Sequence, residues 1–328
     1  MAVRALTSAQ RKLYARGLPV SCFGKLPLYE DFLRVPGSDG AAREFDGWMD
    51  RGFGLRWDDL GGGAETVARP TRMLYVAART GAAVCAILAD SHDRGGLRRF
   101  PFALYAELPV KAIDADSPAF ISGLAPVWRA LETLEAEARA LPSANEFYQA
   151  FRGRRIAPEA DDEEPADALH TPLAAIPGAD SFPSGILHRL AEAVARQKEE
   201  ARDRMALAYR LPLTPGASAE LQAGAWARLL ARGYSKHAGL PSLVLPRDAD
   251  AGAAFAVLFR PLDPADVRLL SARADRAGRV IDLVRGGPDA PQEFQARVAR
   301  DLPAGATLAD LARFRLPKVR SAPPEEMP

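Results

Sequence analysis

Two short stretches concentrate the charged side chains that could do chemistry. Residues 21–34 read Ser-Cys-Phe-Gly-Lys-Leu-Pro-Leu-Tyr-Glu-Asp-Phe-Leu-Arg and carry Lys25, Glu30 and Asp31. Residues 90–101 read Asp-Ser-His-Asp-Arg-Gly-Gly-Leu-Arg-Arg-Phe-Pro and carry Asp90, Ser91, His92, Asp93, Arg94, Arg98 and Arg99. In each, an apolar strand-like run enters a turn rich in Gly or Pro. Ions lodged between strands and tight turns are either solvated or paired across the fold. Arginine grips a carboxylate bidentately in partly buried sites, which makes Asp31 with Arg94 or Arg99 a candidate pair. The pattern fits a polar staple between two loops, and it also fits a charged contact surface for a partner. The staple is preferred, because charges close to a core are usually structural pairs. An enzymatic alternative puts a hydrolase site among Lys25, Asp31, His92 and Asp93.

Other chemistries lack their parts. A serine or cysteine nucleophile needs a base in reach and an acid to orient it. No serine lies in a Gly-x-Ser-x-Gly elbow, and Cys22 sits in an apolar run with no nearby charge to lower its pKa. The histidines are His92, His170, His188 and His237, none at ligand spacing from Cys22 or Cys85, so no zinc site is expected. Gly61-Gly62-Gly63 has acidic flanks and no following Gly-Lys-Ser/Thr, so it reads as a loop rather than a phosphate cradle. Asp161, Asp162, Glu163 and Glu164 are contiguous and lack the alternate spacing and turn glycine of a calcium loop. No cofactor is expected.

The elements that must position the two charged stretches can be read from periodicity. At 328 residues with 48% hydrophobic side chains, the chain can bury a large core. A net charge of +1 gives no field that would draw it to nucleic acid or anionic lipid. No apolar run approaches membrane-spanning length, and no signal-peptide pattern opens the chain, so a cytoplasmic location with reduced, buried Cys22 and Cys85 is expected. Strand signals fall at 20–23, 31–35, 72–78, 83–89, 100–108, 242–245, 253–259 and 280–284. The turn at 79–82, with Gly81, makes a hairpin of 72–89. Phe45, Trp48, Met49 and Phe53 mark a helix over 41–56, and Phe120, Leu124, Val127, Leu131 and Leu134 mark one long helix capped by Ser117. Further helices are predicted at 144–151, from Ser184 with Met205 facing inward, at 219–232, from 261–264 to about 274, at 291–300 and at 307–314. Strand signals this close together predict an α/β fold with a mainly antiparallel central sheet flanked by helices. The expected organisation is an N-terminal region over 1–156, an acidic and Pro-rich insertion or linker over 157–183, and a C-terminal α/β region over 184–328 packed on the first.

The paired stretches resemble the TagF/ImpM family of type VI secretion-associated proteins. Its members resemble Gly-x-x-Gly-Lys-Leu-Pro-x-x-Gly-Asp-Phe, then a helix with Trp, then Ser-x-Asp-x-x-Gly-Arg-x-Phe-Pro. Gly24-Lys25-Leu26-Pro27, Asp31-Phe32 and Trp48 match the first part. Ser91, Asp93, Arg94, Gly96, Phe100 and Pro101 match the second, with Arg98 or Arg99 in the arginine position. Glu30 departs from the family glycine, and the second motif is one residue longer. The resemblance covers roughly residues 20–110. It implies a cytoplasmic, non-enzymatic accessory protein that works by protein–protein binding and represses the secretion system after translation. Its implied partners are type VI secretion components, including a forkhead-associated-domain protein for some members, with no nucleic acid and no membrane insertion. Lys25, Asp31, Ser91, Asp93, Arg94, Arg98 and Arg99 are the expected charged motif.

Overall fold

Alternation of apolar side chains with a period of two builds the middle of the molecule. A computed structural model describes residues 8–37, 40–59, 67–109, 118–158, 184–200, 208–213, 218–234, 240–247, 254–270, 280–284, 290–303 and 305–319. The strands are β1 (Leu18–Gly24), β2 (Leu33–Val35), β3 (Thr71–Val76), β4 (Ala83–Ala89), β5 (Phe102–Leu108), β6 (Arg155–Ile156), β7 (Ala208–Pro212), β8 (Ser242–Pro246), β9 (Ala254–Leu258) and β10 (Val280–Asp282). They form one sheet in the order β10-β7-β9-β8-β3-β4-β5-β1-β2, with β6 on β1. Every pairing is antiparallel except β10 with β7. The expected α/β fold with a mainly antiparallel sheet is therefore present.

Both faces of the sheet are covered. Cys85 and Ile87 of β4, with Leu104 and Ala106 of β5, enter one core; Val84, Ala86, Leu88, Ala103 and Tyr105 enter the other. This explains why β4 and β5 are buried at every position although they pair antiparallel. Among the described residues nine helices surround the sheet. Helix α2 (Gly40–Asp59) and a 3-10 helix (Pro264–Leu270) cover one face, with Phe45, Trp48 and Met49 directed inward at the predicted spacing. On the other face lie α3 (Pro118–Ser122), α4 (Ala125–Ala140), α5 (Ala144–Phe151), α6 (Ser184–Glu200), α7 (Ala219–Tyr234), α8 (Gln292–Asp301) and α9 (Leu308–Arg313), together with Tyr14 of α1 (Ser8–Ala15).

The single helix expected over 117–134 is two helices. The α3–α4 boundary lies at residues 123–124, just before Ala125 and Pro126 at the start of α4. Pro126 has no N–H to give the carbonyl four residues back, and its ring crowds that carbonyl, so the helix restarts there. The helix expected from 261–264 is a 3-10 turn ending at Leu270. Strands β6 and β7 were not anticipated; each is short, and β7 ends on a proline. The glycines at 61–63, the Ser117 cap, residues 159–183, Met205 and the tail beyond 319 lie outside the described residues.

Cross-face polar bonds pin the layers. Trp128 Nε1 donates to the carbonyls of Ala86 at 3.1 Å and Met73 at 3.3 Å. Trp48 Nε1 donates to Asp263 O at 2.9 Å and so ties α2 to the 3-10 segment. Arg72 of β3 pairs with Glu132 of α4 at 2.8 Å and with Glu220 of α7. Strand β8 pairs with β3, Met73 opposite Val244 and Leu74 opposite Leu243, so the sheet continues from the first half of the chain into the second.

Candidate functional site

The two charged stretches meet because the ends of β1, β4 and β5 lie side by side. Gly24 closes β1 at φ +138°, and a Cβ built there would stand 2.1 Å from Pro101 O. Only glycine permits so close an approach of the first loop to the second. From the other side, Arg94 N donates to Tyr29 O at 2.9 Å. Residues 91–100 double back through an isolated bridge of His92 with Arg99, with Asp93 N on Arg98 O at 3.1 Å and Phe100 N on Ser91 O at 3.1 Å. Gly96, at φ +69°, supplies the left-handed turn this requires.

Asp93 is the hub of the junction. Its Oδ1 accepts from Leu97 N at 3.1 Å and Arg98 N at 3.3 Å; its Oδ2 accepts from Arg98 Nε at 2.7 Å. The Arg98 bond is the main cause holding this carboxyl below the ordinary 3.8, while desolvation opposes it. Arg98 also reaches the Glu30 carbonyl with Nη2, so one guanidinium grips both loops. Arg99 pairs with Asp90 at 3.4 Å. Arg94 and Asp31 are exposed. The pairing expected of Asp31 with Arg94 or Arg99 is not formed. The turn instead places Asp93 under Arg98, and Asp31 acts on Lys25 only through its field.

Lys25 is 2% exposed. Its ammonium lies 3.9 Å from Asp93 Oδ2 and 4.4 Å from the Phe32 ring centroid. Desolvation, and then the Arg98 charge, lower its pKa; Asp93 and Asp31 oppose them. Lys25 Nζ and Ser91 Oγ are buried side-chain atoms with no hydrogen-bond partner. The floor of the junction is aromatic: Phe23 stacks on Phe32 at 5.4 Å, and Phe100 meets Phe32 edge-on at 4.8 Å. Such pairs each add about 0.5–1.5 kcal/mol beyond their buried area. His92 Nδ1 lies 2.7 Å from Asp93 O, which makes Nδ1 the protonated nitrogen.

A second polar cluster lies beside the first and was not read from the sequence. Asp46 of α2 accepts from Tyr105 OH at 2.6 Å and from Arg34 Nη2 at 2.8 Å. Burial raises the pKa of Asp46, against the bonds from Tyr105 and Arg34. Glu107 accepts the N–H of Ala42 at 3.0 Å in the first turn of α2. The only sequence signal was Asp46, one of several acids in its helix, lying next to the apolar stripe. Among the described residues no group of three His, Cys, Asp or Glu side chains could hold a metal ion. Cys22 and Cys85 are buried free thiols, as expected; burial pushes Cys22 up to about 12 and Cys85 well above 9.0.

Both loops, and the strands that carry them, fall within residues 21–151, which match the family described as TagF N-terminal domain, type VI secretion system-associated. This segment is a TagF N-terminal domain. The TagF domain thus includes β2 to β5, α2 to α5 and most of β1, while β7 to β10 extend the sheet beyond it. PA0076 from Pseudomonas aeruginosa PAO1, a solved structure, is 20% identical, with 83% of this chain and 100% of that chain covered at a TM-score of 0.44. No curated protein matches the chain. No described helix is long and apolar enough to cross a membrane.

Proposed function

We propose that the face where the loops at 25–32 and 91–101 meet is a docking surface, and that through it this chain binds a component of the type VI secretion apparatus. The observation that carries this reading is the position of two apolar side chains. Among the described residues, the large hydrophobics that stand exposed are Tyr29, at 40%, and Leu97, at 81%. One lies on each loop, next to the arginines 94 and 98. Aromatic and arginine side chains are the usual anchors of protein–protein contacts, and an exposed leucine beside them adds apolar area that a partner can cover. The matched domain is associated with type VI secretion, which supplies the class of partner.

The reading is non-enzymatic. Asp93 already accepts three hydrogen bonds and has a lowered pKa, so it is a poor general base. Lys25 and Ser91 are 2% and 3% exposed, out of a substrate's reach. The charged residues therefore shape the loops, and Tyr29, Leu97 and Arg94 make the contact. Action is by occupancy in the cytoplasm, after translation: the bound component is withheld from assembly and secretion is repressed. A forkhead-associated-domain protein is the partner that the TagF likeness suggests. The second half of the chain supports this face through the pairing of β8 with β3.

The test is affinity capture from the native host with wild type and Leu97→Asp, each with its thermal unfolding measured. Wild type should recover a secretion component, Leu97→Asp should lose it at unchanged Tm, and excess wild type should reduce secretion. Equal recovery by both variants, or capture of no secretion component, overturns the reading.

A further inference from the structure

We propose that Arg228, Arg232 and Arg315 form a second docking surface, for a short acidic segment of a partner polypeptide. Arg228 and Arg232 are one turn apart on α7, a spacing that puts them on the same helix face, about 5–6 Å apart at Cβ. The chain after α9 folds back along this helix end. Arg232 Nη1 donates to Ala312 O at 3.0 Å, and a Cβ at Gly233 would meet Leu316 Cδ1 at 3.2 Å. Arg315 lies between those two contacts in the chain and is exposed, as is Arg232. The three charges are close enough to be felt: burial first, then Arg228 and Arg315, weaken the hold of Arg232 on its proton.

Nothing within the described residues offsets this concentration of charge. Neither Arg228 nor Arg315 meets a carboxylate of a described residue, and the acid on α9, Asp310, is engaged by Thr307 and Arg313. The ends of α7 and α9 contribute about half a negative charge each, short of what three guanidinium groups require. The Ala312 carbonyl occupies one of the five N–H donors of Arg232 and orients the rest. Arginine clusters of this kind recognise acidic motifs through paired N–H bonds. Nucleic acid is the weaker fit. Three cations fall below the roughly six to ten phosphate contacts of a typical interface, and a net charge of +1 gives no long-range attraction.

A fluorescein-labelled oligoglutamate peptide, titrated by anisotropy with the full chain, tests the proposal. Saturable binding that weakens with salt is expected, with affinity reduced about tenfold or more in Arg228→Ala/Arg315→Ala. Arg315→Gln alone removes no partner among the described residues, so it should keep the wild-type Tm and still lose affinity several-fold. Leu97→Asp should bind the peptide as wild type does, which separates this surface from the loop face. The proposal is overturned if binding does not saturate, if the arginine variants bind equally well, if Leu97→Asp abolishes binding, or if a single-stranded oligonucleotide of equal charge competes at lower concentration.

Discussion

Lys25 and Asp93 face each other at 3.9 Å, both nearly sealed from solvent, at the point where the loop after β1 meets the loop after β4. The contact is too long for a hydrogen bond, while Asp93 holds a 2.7 Å bond to Arg98. The two cations therefore contribute unequally. Removing Lys25 takes away a desolvated ammonium and leaves Asp93 with its Arg98 and backbone partners. Lys25→Met is expected to be neutral or stabilising, by up to about 2 kcal/mol. Asp93→Asn breaks the hub itself and should lower Tm. Chemical denaturation of both variants decides; a large loss of stability in Lys25→Met alone would show that the ammonium is the anchor.

Gly24 should be irreplaceable, whereas Gly81 should not be. A Cβ at Gly24 collides with the Pro101 carbonyl, and φ +138° is a backbone angle L-residues avoid, whereas Gly81, at φ +66°, has open space around it. Gly24→Ala should cost at least about 3 kcal/mol and separate the two loops, and Gly81→Ala about 1 kcal/mol. Equal Tm shifts in the two variants would refute this account of the close approach.

Arg72 joins the halves of the chain through charge. Its guanidinium serves Glu132 and Glu220, whose side chains are 10% and 5% exposed. Arg72→Met leaves Glu132 with Arg247 at 3.5 Å and Glu220 with the Ser218 hydroxyl at 2.9 Å, and a loss of about 3 kcal/mol is expected. The triple variant with Glu132→Gln and Glu220→Gln should regain most of it, as urea unfolding can measure. Failure of that rescue would mean that Arg72 acts by packing.

Asp46 gives a pH signature of defined sign. Its folded pKa is raised above the ordinary 3.8, so its contribution to stability is full below pH 3.8 and is lost as pH rises through the folded value. Asp93, with a lowered pKa, does the opposite, contributing above pH 3.8 and losing that contribution as pH falls. The unfolding free energy of wild type minus that of Asp46→Asn should therefore decrease as pH increases from 3 to 7. A flat difference would place Asp46 in a solvated site.

Local pattern was enough to reveal most elements. The apolar stripe of Phe45, Trp48, Met49 and Phe53 announced α2, and the run around Gly81 announced the β3–β4 hairpin, because periodicity is set by backbone geometry and needs no partner. The break before α4 was also written in Pro126, although the longer apolar stripe masked it. The site was legible as two charged stretches, but its pairing was not. Whether Asp31 or Asp93 takes the arginine depends on where a Gly96 turn aims Arg98, and charge types alone cannot distinguish two acids on neighbouring loops. Tyr29 and Leu97 carry no motif; they stand out only because the other large apolar side chains described are buried or partly buried.

Residue order by itself determined most of the strands and helices and the two loops that had to carry ions, since each depends on neighbours within a few positions. The tertiary structure alone decided that β3 pairs with β8, that Arg72 meets Glu220, and that Arg98 closes on Asp93. Contacts across such distances in sequence are selected by the summed packing of both cores, which no local stretch encodes.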